Sequence, residues 1–198
     1  MAITFAKTPY AGKVEVFWRG DAKMLPGGFK LISTQNIALG TTVLRGTPVY
    51  VDFNTHTAAI CKTAKVVNGG TTSAPCVAKG HYFAVGDKVT VNGGTGTGTI
   101  ASVDTSNADY DVLTFGSAVT GATADAVLVE GTTAGTAQYT PNNVVGADHT
   151  FDGKGIDALD VAYDALVLIK HLAFPVLASW LEGGYCLKAN HAIKFITQ

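Results

Sequence analysis

Val85-Gly86-Asp87-Lys88-Val89-Thr90-Val91-Asn92-Gly93-Gly94 packs a turn, a strand and a second turn into ten residues. Val89 and Val91 alternate with Lys88 and Thr90, the period-two pattern of a strand with one buried face. Val85-Gly86-Asp87 and Asn92-Gly93-Gly94 are turn chemistry, supplied by glycine's freedom and by Asn and Asp side chains that bond their own backbone. The pattern repeats downstream. Thr99 to Val103 reads as a strand, Asp104 to Asp109 as a loop, Tyr110 to Phe115 as the returning strand, and Ala126 to Glu130 closes the series. Short Val- and Thr-rich strands with turns at this spacing predict a sandwich or barrel.

Working outward, Lys13 to Trp18 alternates as a strand and Arg19-Gly20-Asp21 reads as the turn after it. Thr47 to Phe53 is a strand, Asn54 to Thr57 a turn, and Ala58 to Val67 the next strand, together a hairpin. Residues 131–153 are polar and rich in Gly and Thr and read as a linker. Residues 161–171 fit a buried strand, although Ile156, Leu159, Tyr163 and Leu166 fit a helical face. Pro175 to Glu182, with proline in a first turn and Gly183-Gly184 behind it, reads as a short helix, and Ile193 to Ile196 as a last strand. The predicted fold is mainly β: small antiparallel barrel or sandwich modules with one or two short helices, in an oligomer. The segments are an N-terminal strand and arm (1–45), a barrel or sandwich module (46–140) and a C-terminal β-rich assembly segment (141–198).

Charge is scarce. Asp, Glu, Lys and Arg make up 15% of the 198 residues, against about 25% in an ordinary soluble domain. Gly (23), Thr (25), Val (21) and Ala (27) take their place. A β-rich chain with so little surface charge is expected to cover much of its outside with partners. Closed symmetry does this without open aggregation. The net charge of −1 argues against a nucleic-acid binder. It is unevenly spread: residues 1–100 carry ten basic and four acidic side chains, a net of +6, and residues 101–198 carry four and eleven, a net of −7. No signal peptide is read in residues 1–10. The most apolar stretch, Ala158 to Leu181, is broken by Asp160, Asp164, Lys170 and His171, so no membrane span is expected.

No reaction chemistry declares itself. The glycine run 92–98 lacks the Gly-Lys-Ser/Thr ending of a phosphate loop and leads into a strand instead of a helix. Counted from Asp104, the sixth and twelfth positions of a calcium loop fall on Asp109 and Phe115, so the EF-hand pattern fails; an irregular calcium site at Asp104, Asp109 and Asp111 is the weaker alternative to an Asp-rich turn. His56, His81, His149, His171 and His191 have no metal-ligand spacing, and Cys61, Cys76 and Cys186 form no CxxC pair. No GxSxG elbow occurs. The reading is therefore no catalytic residue, no cofactor and no metal.

Two sets of residues stand out as binding surface. Leu166, Leu168, Phe174, Leu177, Trp180 and Leu181 form an apolar run with little polar face, a candidate interface with another subunit or a partner protein. Trp18, Tyr82 and Tyr110 are candidate surface aromatics able to stack on sugar rings, with Tyr50, Trp180 and Tyr185 in the same group, although most sit at alternating strand positions that favour a core or subunit-interface role.

Four passages carry a family resemblance: Gly12 to Trp18; Gly46 to Phe53 with its hairpin; Lys79 to Asp87 running into Ile100 to Val112; and Leu187 to Ile196. Together they resemble the head-fibre and head-decoration proteins of tailed bacteriophages, especially those of gut Bacteroidales phages. The resemblance implies a non-enzymatic virion protein on the capsid exterior, bound to the major capsid protein, which makes the apolar run of Leu166, Leu168, Phe174, Leu177, Trp180 and Leu181 a candidate capsid interface as well as a subunit one. It further implies a trimer made in the host bacterial cytoplasm. A carbohydrate-binding or host-adhesion β module is the alternative.

Overall fold

The computed structural model describes residues 15–153 and 158–197. It is 44% strand and 3% helical, so the mainly β expectation holds. In chain order the strands are β1 (Phe17–Met24), β2 (Phe29–Leu31), β3 (Thr42–Val43), β4 (Pro48–Asp52), β5 (Thr57–Ile60) and β6 (Thr63–Lys65). Then follow β7 (Cys76–Ala78), β8 (Lys88–Val91), β9 (Thr97–Asp104), β10 (Tyr110–Phe115), β11 (Val127–Glu130) and β12 (Asn143–Val145). The last are β13 (His149–Thr150), β14 (Ala158–Leu159), β15 (Val161–Leu168), β16 (Leu181–Glu182), β17 (Cys186–Leu187) and β18 (Asn190–Ile196).

Two sheets dominate. Residues 63–130 form the smaller one, in the order β6-β11-β8-β9-β10-β7. It curls until its edge strands meet at the bridge between Val66 and Val77. Inside it pack Val89, Val91, Ile100, Leu113, Phe115 and Leu128. All but Leu128, from β11, are inward residues of the alternation seen at 85–115, and the strands at 88–91 and 110–115 lie where the sequence puts them. The larger sheet takes the chain before and after this excursion, in the order β14-β2-β5-β4-β12-β15-β18-β17-β16, with β1 also on β15.

β15 is the organising strand. Ala162 pairs with both Val144 and Met24, and Ala165 with both Ala22 and Ile193. Hence β1 runs along one edge of β15 while β12 and β18 share the other. The register against β1 slips between Lys23 and Met24, opposite Tyr163. Alternation changes phase at this bulge, so Ala162, Ala165 and Val167 all enter one core.

Several sequence expectations are corrected. Arg19-Gly20-Asp21 is no terminal turn: Phe17 pairs with Val167 and Ala22 with Ala165, so these residues loop out of a continuous strand. Left-handed φ angles at Arg19 (55°) and Gly20 (71°) make the bulge. The strand read over 58–67 breaks at Cys61-Lys62, where the chain passes from the larger sheet to the smaller. Residues 131–153 contain β12, whose Val144 and Val145 are fully buried between β4 and β15.

The helix over 175–182 shrinks to one 3-10 turn, Ala178–Trp180, followed by β16. Tertiary bonds outbid the helix. The Thr63 hydroxyl donates to the Pro175 carbonyl at 2.7 Å, and the Lys188 N–H donates to the Trp180 carbonyl at 2.9 Å. Residues 161–168 are strand, and a second 3-10 turn covers Ile169–His171. Lys13 and Val14, and Ile156 in the helical alternative, lie outside the described residues. Among the described residues no helix is long and apolar enough to cross a membrane.

Candidate functional site

The chain enters the small barrel through Cys61-Lys62 and leaves it through Glu130-Gly131, and at this neck it buries polar chemistry. The Glu130 N–H donates to the Lys62 carbonyl at 3.2 Å, so entry and exit run side by side. The Lys62 ammonium lies 2.6 Å from Asp87 Oδ2, with side chains 0% and 1% exposed. Asp87 is the last residue of the Val-Gly-Asp turn. Its Oδ2 also accepts the Ala84 N–H at 2.8 Å, and its Oδ1 accepts Asn36 Nδ2 at 3.2 Å. Lys62 Nζ donates in addition to the Asn36 carbonyl.

Beside it, Gln35 is clamped from both ends: its amide donates to the Ile60 carbonyl at 2.7 Å and to Glu130 Oε2 at 2.6 Å, and its oxygen accepts the Ile60 N–H at 2.7 Å. Burial pushes the Glu130 carboxyl above the usual carboxylate range. Lys62 pulls it back, Asp87 pushes it further up, and the Gln35 bond pulls it down. The Cys61 thiol is driven well up by burial and then by Glu130.

A second cluster sits on the strand β10 and the loop after β7. Lys79 Nζ reaches Asp111 Oδ1 at 2.6 Å and the Thr105 carbonyl at 3.0 Å. The His81 ring is 5% exposed. Its Nδ1 accepts the Phe83 N–H at 3.1 Å, which places the proton on Nε2. Nε2 faces Asp111 Oδ2 at 3.2 Å but off the line of a good hydrogen bond. Burial holds the imidazole below its ordinary range against the opposing pull of Asp111.

Asp111 is thus taken by Lys79, whereas Asp104 and Asn107 each accept the N–H two residues on, from Ser106 and Asp109, at 2.9 Å. These are Asx turns. Among the described residues no group of three or more His, Cys, Asp or Glu side chains is placed to hold a metal ion.

The candidate interface run is mostly interior. Leu168, Phe174, Leu177, Trp180 and Leu181 are 7%, 5%, 4%, 3% and 9% exposed, and Leu166 is half-buried. Leu177, Trp180 and Leu181 pack with Val129, Val144, Ala165 and Val167, and Phe174 packs with Tyr82 in a neighbouring core. What looks like an unfaced apolar run is covered by the chain's own sheets. Among the aromatics, Tyr82 is buried and its hydroxyl accepts the Leu44 N–H at 3.0 Å, while Trp18 and Tyr110 are half-buried.

The open apolar surface lies elsewhere. Leu39 is 75% exposed, Val85 58%, Phe53 54% and Tyr185 49%. Leu39, Leu44 and Val85 project from the loops on either side of β3, 32–41 and 44–47, and from the loop 81–87, which Asn36–Asp87 and Leu44–Tyr82 bonds stitch together. Sequence reasoning missed them because single Leu and Val residues between turns carry no periodicity. On another face, Tyr50 stacks on Tyr139 with ring centres 6.1 Å apart. No protein-family model, curated protein or solved structure matches the chain.

Proposed function

We propose that the chain is a non-enzymatic structural subunit that decorates the outside of a bacteriophage capsid as a homotrimer, bound to the major capsid protein. The observation that carries the reading is the pairing of a charge-poor sequence with large apolar side chains left facing solvent on tethered loops, Leu39, Leu44 and Val85. Apolar loop residues held in place by hydrogen bonds are preorganised for a partner, which lowers the entropy cost of docking. The sequence resemblance supplies the kind of partner, and with it assembly on the capsid exterior after synthesis in the host cytoplasm.

Mixing purified protein with undecorated heads tests this. Co-sedimentation in hundreds of copies per head is expected, with light scattering giving three times the monomer mass. The double variant Leu39→Ser, Val85→Ser is expected to keep its far-UV spectrum and lose the heads. A clean monomer that leaves heads bare at micromolar concentration would sink the proposal.

The stacked Tyr50–Tyr139 pair favours a second reading, a glycan-binding or host-adhesion module, since Tyr50 is 40% exposed and flat rings stack on sugar faces. Glycan-array binding abolished by Tyr50→Ala would support it, and few copies per virion would separate it from decoration.

A further inference from the structure

A salt bridge removed from water as fully as Lys62–Asp87 is a poor stabiliser, because desolvation offsets most of the Coulombic gain. It is also a primary amine pressed against a carboxyl group where water is excluded. We propose that Lys62 and Asp87 condense, after folding, into an intramolecular isopeptide bond between Lys62 Nζ and Asp87 Cγ. An oxygen at 2.6 Å from the nitrogen brings its carbon close to the separation of about 3–3.5 Å at which reacting atoms meet without further motion.

The groups around the pair have distinct uses. The 2.6 Å hydrogen bond carries a proton from Lys62 Nζ to Asp87 Oδ2, giving a neutral amine and a neutral acid. Water is excluded from the pair, so no solvation shell has to be stripped from either group before they react. The nitrogen lone pair then forms a bond to Cγ, and the carbonyl π pair moves onto Oδ1. Asn36 Nδ2, which already donates to Oδ1 at 3.2 Å, stabilises the oxyanion as it develops. A second proton passes from the nitrogen to the Oδ2 hydroxyl. The Cγ–Oδ2 bond breaks with its electron pair, water departs, and Oδ1 returns to a carbonyl. One proton remains on the nitrogen, and its acceptor, the Asn36 carbonyl, is already in place. Nothing is oxidised or reduced, and the only product besides the amide is one water. With exposures of 0% and 1%, hydrolysis lacks its reagent.

Glu130 is a positioning residue here. Its N–H donates to the Lys62 carbonyl at 3.2 Å and Gln35 Nε2 donates to its Oε2 at 2.6 Å, so a second carboxyl is fixed beside the pair, and burial favours its protonated form, which relays a proton without adding a charge to the site. The bond would tie the entry of the barrel to the turn before β8, at the place where the two sheets join. It would form whether or not the chain sits on a capsid.

Intact-mass spectrometry of the full chain, purified folded and then denatured, tests the proposal. The expected mass is that of the sequence less one water. Tryptic digestion is expected to yield a branched product joining Gly46–Lys65 to Gly80–Lys88, uncut at Lys62. Lys62→Arg and Asp87→Ala should each return to full mass and lose the branched product.

Glu130→Gln should leave chains at full mass at pH values where the wild type is fully condensed, with the pH profile of condensation altered and the far-UV spectrum retained. A wild-type chain at full mass after prolonged incubation in the folded state overturns the proposal, whatever the variants do. A water deficit that survives Lys62→Arg overturns it equally. Unchanged kinetics and pH profile in Glu130→Gln would remove Glu130 from it.

Discussion

Trp180→Ala is expected to unfold the chain more readily, by about 3–5 kcal/mol in urea titration, the cost of emptying a large aromatic site in a packed core. Trp180 is 3% exposed among residues from three parts of the chain. A residue anchoring a subunit or capsid contact would leave the folded monomer nearly unaffected, so an unchanged urea midpoint would return Trp180 to the surface. Gly46 is the second residue on which much depends. Its φ is +82°, and a Cβ there would lie 2.5 Å from Val16 Cγ1 and 3.3 Å from Val167 Cγ1. Gly46→Ala is expected to cost about 1–3 kcal/mol for overpacking, on top of about 1–2 kcal/mol for the left-handed backbone. A denaturation midpoint within error of wild type would show that the core at Val16 yields.

Among the described residues, β15 has strand neighbours on both edges and β1 on one. Backbone amides of Val161, Ala162 and Val167 are therefore expected to exchange with solvent only on global unfolding, whereas Arg19 to Asp21, looped out of β1, exchange through local fluctuation. Hydrogen exchange followed by mass spectrometry reads both. Equal protection in the two segments would mean that something covers the bulge. The hairpin of β4 and β5, in register from Val49–Ile60 to Asp52–Thr57, is local enough to be seen in sequence. The parallel pairing of β15 with β18 joins residues nearly thirty positions apart and leaves no local mark.

At the scale of the whole molecule, stability depends on two buried groups with opposite signs. Glu130 has a folded value above its unfolded one, because burial disfavours its charge. Its contribution is full below about pH 4.3 and is lost as pH rises through the folded value. His81 is held below its unfolded value of about 6.5, so its contribution is present above that and is lost as pH falls through the folded value. In a Lys62→Arg background, where no condensation is possible, Glu130→Gln is expected to gain melting temperature relative to the chain that keeps Glu130 as pH rises from acid to neutral. His81→Gln is expected to flatten the acid side. Melting curves across that range check both, and a constant Glu130→Gln offset would show that the carboxyl does not titrate between the folded and unfolded states.

Alternation and turn chemistry are local, so the residues themselves determined the strands around 88–91 and 110–115, the hairpin at 48–60 and the mainly β class. They also determined that charge would be scarce. Tertiary structure decided the rest. Whether Leu177, Trp180 and Leu181 face a partner or their own chain depends on which sheets come to lie over them, and a one-dimensional pattern of apolar residues is the same in both cases. The bulge opposite Tyr163 reverses the alternation of β15, which no period-two reading anticipates. Lys62, Asp87, Asn36 and Glu130 lie on four separated stretches and look like ordinary surface charges and polar residues in sequence. Only the joining of the two sheets at the neck of the barrel removes them from water and presses an amine against an acid.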